Sequence, residues 1–194
     1  MSSPQLIVVG TSAGGLAAMQ VLLPGLSEMF NCPIVIAQHR GKEQGSGLSQ
    51  FLQKSCRLPI VEPEDKAPIE AGRVYLAPGD YHLLVEKGHF ALSTDAPVWY
   101  ARPSINVLFE SAADAYAETA VGVILSGANG DGARGLAAIK ARGGTAIVEE
   151  PATAAYRAMP EAALQATTVD RVLPLAEIPS FLNMLCQSSE RGVR

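Results

Sequence analysis

The sequence is short of cysteine, of aromatic residues and of basic charge, and each shortage removes a class of protein. Three cysteines in 194 residues, Cys32, Cys56 and Cys186, are an odd number at wide spacings. That suits neither a disulfide framework nor a zinc site, so they read as reduced thiols, with no metal expected. Lys and Arg number 15 against 19 Asp and Glu, a formal charge of −4, and no stretch gathers the basic residues. Nucleic-acid binding, which rests on neutralising phosphates, is therefore disfavoured. No apolar run approaches the ~20 residues of a membrane span, and Met1 to Pro4 lack the basic start and apolar core of a signal peptide. A cytoplasmic location without membrane insertion is expected. A hydrophobic content of 48% against 18% charged residues is far from the composition of a disordered chain, so the length is read as one domain over 1–194 with a core from about 5 to 186.

What is present is an alternation of apolar runs and helical spacings. Gln5 to Gly10 is a β-branched run that stops at a glycine-rich turn, Leu16 to Leu23 has helical spacing, and Ile34 to Gln38 is a second buried-type strand. That βαβ order argues for a parallel sheet, hence an α/β fold, doubly wound with helices on both faces. After a polar loop over 40–45 and a helix from Gly47 to Cys56, the segment from Pro59 to Pro97 changes to short strand-like runs separated by turn signals, and reads as a β-rich insertion with a hairpin at Lys87-Gly88. The α/β rhythm then resumes: a helix from Ser104 to Tyr116, a strand from Val121 to Leu125, a helix from Ala133 to Ala141, a strand from Thr145 to Val148, and helices over 160–166 and 175–185.

In a parallel α/β sheet, ligands bind outside the carboxyl ends of the strands, so polar residues placed just after strands are the functional candidates. Gly10, Ser12 and Gly14 match GxSxG, in which small neighbours sharpen a strand-to-helix turn and expose a serine hydroxyl. The rival reading of GTSAGG is a dinucleotide fingerprint. Against it, Ser12 stands where the second glycine should be, and Gln38, His39 and Arg40 stand where the ribose-binding acid should be. No cofactor is expected. His39 alone would pass for a surface histidine, His82 and His89 for structural residues of the insertion, and Asp131 for the N-cap of the helix at Ala133. Their combination reads differently. Ser12, His39 and Asp131 each follow a different strand, which puts all three on one sheet edge where a serine, histidine, aspartate relay can assemble. The chain order differs from that of α/β-hydrolases.

Five ordered segments carry a resemblance: GTSAGG at Gly10 to Gly15, AQH at Ala37 to His39, YLAPGDYHLLV at Tyr75 to Val85, RPSINVLFESAADAY at Arg102 to Tyr116, and VGVILSGANGDGARGL at Val121 to Leu136. Ala158-Met159-Pro160 adds a sixth. Over Leu6 to Leu182 the chain resembles the catalytic domain of the chemotaxis receptor methylesterase family, the CheB type. The resemblance implies a protein-glutamate methylesterase, often also a glutamine deamidase, acting on the cytoplasmic helices of methyl-accepting receptors, with Ser12, His39 and Asp131 as the catalytic triad. The alternative is a catalytically silent interaction module of the same fold. Two departures stand out. Ala128-Asn129 replaces the family's usual Met-Gly, whose methionine N–H is implicated in the oxyanion hole. The 194 residues also leave no room for the receiver domain of standard chemotaxis members, so activity independent of a phosphodonor is expected, with any control coming from another chain in trans. Arg102 reads equally as a substrate-guiding cation or a solvated residue before a helix.

Overall fold

The computed structural model describes residues 4–40 and 47–187; most of the polar loop expected over 40–45 lies outside them. The elements are β1 (Leu6–Thr11), α1 (Gly15–Leu22), β2 (Ile34–Gln38), α2 (Gly47–Gln53), β3 (Ile60–Val61), β4 (Val74–Leu76), β5 (His82–Glu86), β6 (His89–Ser93), α3 (Ile105–Tyr116), β7 (Ala120–Ile124), α4 (Ala133–Ala141), β8 (Thr145–Glu149), α5 (Ala158–Ala166), β9 (Arg171–Leu173) and α6 (Ile178–Gln187). Seven strands form one parallel sheet in the order β3-β4-β2-β1-β7-β8-β9. The fold is α/β, as the βαβ order requires.

The centre of the sheet explains why β1 reads as an unbroken apolar run. Both of its faces are covered, so side chains of either parity must be apolar. Leu6 and Val8 enter a cluster with Leu108, Phe109, Leu136 and Ala163 from α3, α4 and α5. Ile7 and Val9 enter a second cluster with Met19, Leu22 and Leu182 from α1 and α6. The result is the doubly wound arrangement, and no described helix is long and apolar enough to cross a membrane.

The β-rich segment at 59–97 is less of an insertion than its turn signals suggest. Ile60–Val61 and Val74–Leu76 extend the main sheet, pairing parallel with one another and, through Val74–Leu76, with β2. Only β5 and β6 stand apart, as an antiparallel hairpin turning at Lys87-Gly88. Short strands of two and three residues carry too little periodicity to reveal a parallel partner. The same shortness hid β9.

The strand order reverses at β1. From there the chain adds β2, then β3 at the edge and β4 between the two, and returns to add β7, β8 and β9 on the other side. A crevice outside the carboxyl ends of β1 and β7 is the expected consequence.

Candidate active site

Gly10 and Gly14 each answer a steric demand around the turn that follows β1. A Cβ on Gly10 would collide with Ile105 at the start of α3, so the end of β1 can approach that helix only as glycine. Gly14 lies at φ 80°, in the left-handed region, and a Cβ there would come within 2.6 Å of Ser126 Oγ. Ser12 sits between them, half-buried. Its N–H donates to the Ser126 carbonyl at 3.0 Å and its carbonyl accepts the Gly15 N–H at 2.9 Å. Its hydroxyl makes no hydrogen bond with any described residue.

Ser126 follows β7 and ties that turn down. Its carbonyl also accepts the Thr11 hydroxyl at 2.8 Å. Its own hydroxyl donates to the Ala13 carbonyl at 2.8 Å and accepts the Tyr156 N–H at 2.9 Å. Beneath it, the Ser126 N–H donates to Glu149 Oε2 at 2.8 Å. Glu149 is fully buried, its other oxygen has no partner among the described residues, and burial raises its pKa even though the Ser126 N–H works against that.

His39 lies one residue past the last paired couple of β1 and β2, Thr11 and Gln38, so the parallel register brings it alongside Ser12. Its N–H donates to the Thr11 carbonyl at 3.2 Å, which removes that group from any oxyanion site. The Ala128 N–H makes no bond with a described residue. His39 Nε2 donates to Asp131 Oδ2 at 2.7 Å, with 13% of the His39 side chain exposed and none of that of Asp131.

Asp131 is not the N-cap of α4. That position is Gly132, at φ 96°, with no side-chain cap. The carboxylate instead serves α3: Oδ2 accepts the Ile105 N–H at 2.7 Å, and Oδ1 accepts the Asn106 N–H and the Ser104 hydroxyl, each at 3.0 Å. Ser104 stands at the N-cap position but spends its hydroxyl on Asp131. Burial alone would raise the pKa of Asp131. The hydrogen bond from His39, the two backbone N–H groups and the nearby imidazole charge outweigh it, and the group is held below the usual carboxylate range.

A buried histidine backs this arrangement. His82 Nδ1 accepts the Ser104 N–H at 3.2 Å and Nε2 donates to the Ala96 carbonyl at 3.1 Å, which together fix one neutral tautomer. His89 is half exposed and pairs with Glu86 at 2.5 Å, away from this network. Arg102 is no free cation. It donates to the Thr94 and Asp95 carbonyls at 2.7 and 3.0 Å and to Asp80 at 2.5 Å, so the guiding role it offered is taken up by a clamp. Cys32, Cys56 and Cys186 are buried free thiols.

Sequence reasoning passed over Ser104, Ser126 and Glu149. The available signals were weak: a serine before a helix, a serine after a strand, and an acid ending the apolar run TAIVE.

Fold and site together define an α/β protein that carries a serine, a histidine and a carboxylate after three strands of its parallel sheet, at the edge where such folds bind ligands. Residues 7–182 match the family model described as CheB methylesterase. The crystal structure of the Thermotoga maritima CheB methylesterase catalytic domain superimposes with a TM-score of 0.89 at 32% identity, covering 95% of this chain and all of that one. A putative protein-glutamate methylesterase/protein-glutamine glutaminase of Leptospira interrogans is 47% identical over 184 residues, 94% of this chain and 95% of the relative. Against a protein-glutamate methylesterase/protein-glutamine glutaminase of Anaeromyxobacter dehalogenans, 40% identical, the chain spans about half the relative's length, 53%. The chain belongs to the CheB methylesterase family and is accordingly a carboxylic-ester hydrolase.

Proposed function

We propose that the chain is a protein-glutamate methylesterase that hydrolyses γ-glutamyl methyl esters on the cytoplasmic helices of methyl-accepting chemotaxis receptors, with Ser12 as nucleophile, His39 as general base and acid, and Asp131 as the group that orients the imidazole. The observation that carries this reading is the 2.7 Å contact between His39 Nε2 and Asp131 Oδ2, made one residue beyond the register that sets His39 alongside Ser12.

The chemistry follows from the tautomer. With Nε2–H committed to Asp131, the Nδ1 lone pair is left to take the Ser12 proton, the reverse of the nitrogen usage in the chymotrypsin-type relay. Ser12 Oγ attacks the γ-carbonyl, the imidazolium protonates departing methanol, and water hydrolyses the acyl-enzyme by the same steps in reverse. Asp131 stays ionised throughout, because its four donors favour the charged form. The uncommitted Ala128 N–H is the leading oxyanion donor, a contribution worth roughly 3–4 kcal/mol in serine hydrolases. A primary amide enters the same cycle with ammonia as leaving group, so glutamine deamidation is the companion activity, in keeping with the names of the relatives.

The test is methanol release from receptor membranes carrying methylated glutamates, with the Ser12→Ala protein as blank. Release above that blank is expected; equal release from both proteins would leave a silent module.

A further inference from the structure

Trp99 and Tyr100 form the tip of a two-residue hairpin. Val98 and Ala101 exchange both backbone hydrogen bonds, at 3.1 and 2.9 Å. Both tip residues have positive φ, 52° and 60°, the hallmark of the type I′ turn. That turn favours Asn-Gly, because a side chain at positive φ crowds its own backbone. Two bulky aromatics are the opposite choice, and most of their surface stays in water: Trp99 is 57% exposed and Tyr100 wholly so. A strained backbone that presents apolar rings to water breaks a local rule without compensation inside the fold, the pattern expected where a partner supplies the contact.

The tip is anchored to the active-site rim. Arg102 holds its base through Thr94, Asp95 and Asp80. Tyr100 is four Cα–Cα steps from Ser104, whose hydroxyl binds Asp131, so at about 3.8 Å per step the tip lies within roughly 15 Å of Ser104. On the serine side stands another exposed aromatic, Tyr156, with its Cδ2 3.3 Å from where a Cβ on Gly14 would be. A ligand that meets exposed aromatics on both the nucleophile side and the aspartate side is longer than one glutamyl side chain.

We infer that Trp99 and Tyr100 are a docking element for the polypeptide that bears the ester, gripping an aliphatic side chain near the modified glutamate. Tyrosine and tryptophan are the residues that supply such anchoring contacts. The inference rests on the esterase reading for its occupant.

The experiment compares the wild type with Trp99→Asn/Tyr100→Gly on two probes: a helical peptide with a γ-methyl glutamate flanked by leucines one turn away, and N-acetyl-γ-methyl-glutamate N-methylamide. The preference for peptide over small ester, as a ratio of kcat/KM, should fall about tenfold through KM, and Tm should hold or rise because Asn-Gly suits the turn. An unchanged ratio, or a lowered Tm, would overturn the proposal. Binding gives a second readout independent of turnover, since Trp99 is the only tryptophan. In the Ser12→Ala protein its emission should shift to the blue with the leucine peptide, and far less with a version carrying alanines instead; no shift at saturating peptide would overturn docking. A blue shift with phosphatidylglycerol vesicles but not with peptide would assign the tip to a membrane surface instead. Failure of the wild type to hydrolyse either probe beyond the Ser12→Ala blank would count against the esterase reading, with the emission measurement still deciding the tip.

Discussion

Asp131 and Asn106 cap each other's helices. Asp131, which precedes α4, accepts the Asn106 N–H at the start of α3 at 3.0 Å. Asn106 in turn accepts through its side-chain oxygen the N–H groups of Gly132 and Gly135 at the start of α4, at 3.0 and 2.8 Å. Each helix start thereby satisfies donors that its own first turn cannot. The carboxylate that accepts from His39 is therefore fixed by the packing of two helices rather than by its own loop.

The first expectation follows directly. Asn106→Ala leaves two buried N–H groups unpaired and should lower stability by about 2–6 kcal/mol, at a typical cost of roughly 1–3 kcal/mol per orphaned buried donor. Urea titration measures it. Because Gly132, the neighbour of Asp131, loses its anchor on the Asn106 side chain, kcat should drop as well, and a stable variant of normal activity would separate the two helix starts from catalysis.

Ser12→Ala and His39→Ala should each abolish nearly all esterase activity, while the double variant should be little worse than either, because members of a relay act as a unit. Losses that multiply would show independent roles. Tm of Ser12→Ala should stay close to that of the wild type, since the hydroxyl bonds to no described residue.

Ala128→Met restores the side chain usual in the family. A backbone donor needs no particular side chain, so the rate should change by no more than a few-fold. A loss as large as that of Ser12→Ala would move the oxyanion donor elsewhere.

Asp131 and Glu149, whose pKa values are shifted in opposite directions, should respond to pH with opposite signs. Asp131 is held below its ordinary pKa in the folded state, so the stability it contributes is present above the unfolded value of about 4 and fades as pH falls through the folded one. Asp131→Asn should therefore be less stable than the wild type near pH 7, with a deficit that shrinks in acid.

Glu149 is raised by burial, so its favourable contribution is present while it is protonated and is lost as pH rises through the folded value. Glu149→Gln should gain on the wild type as pH rises above the ordinary carboxylate value of about 4. Denaturation curves from acid to alkaline pH decide it; a constant difference would mean that Glu149 does not titrate in that range.

The sequence by itself determined the order of the central elements, because β1, β2, β7 and β8 are apolar on both faces and helices such as Ala133–Ala141 keep their spacing whatever surrounds them. It also placed Ser12, His39 and Asp131 on one edge, since all three follow strands of one parallel sheet. Tertiary structure decided what each polar group was for. Asp131 reads locally as a cap for α4 and caps α3 instead; Arg102 reads as a free cation and is a clamp; β3, β4 and β9 exist only because a neighbouring strand offers its hydrogen bonds. Hydrogen-bond partners separated by tens of residues leave no periodicity in the chain, and only the close approach of β1 to α3 at Gly10 and Ile105 brings them within reach.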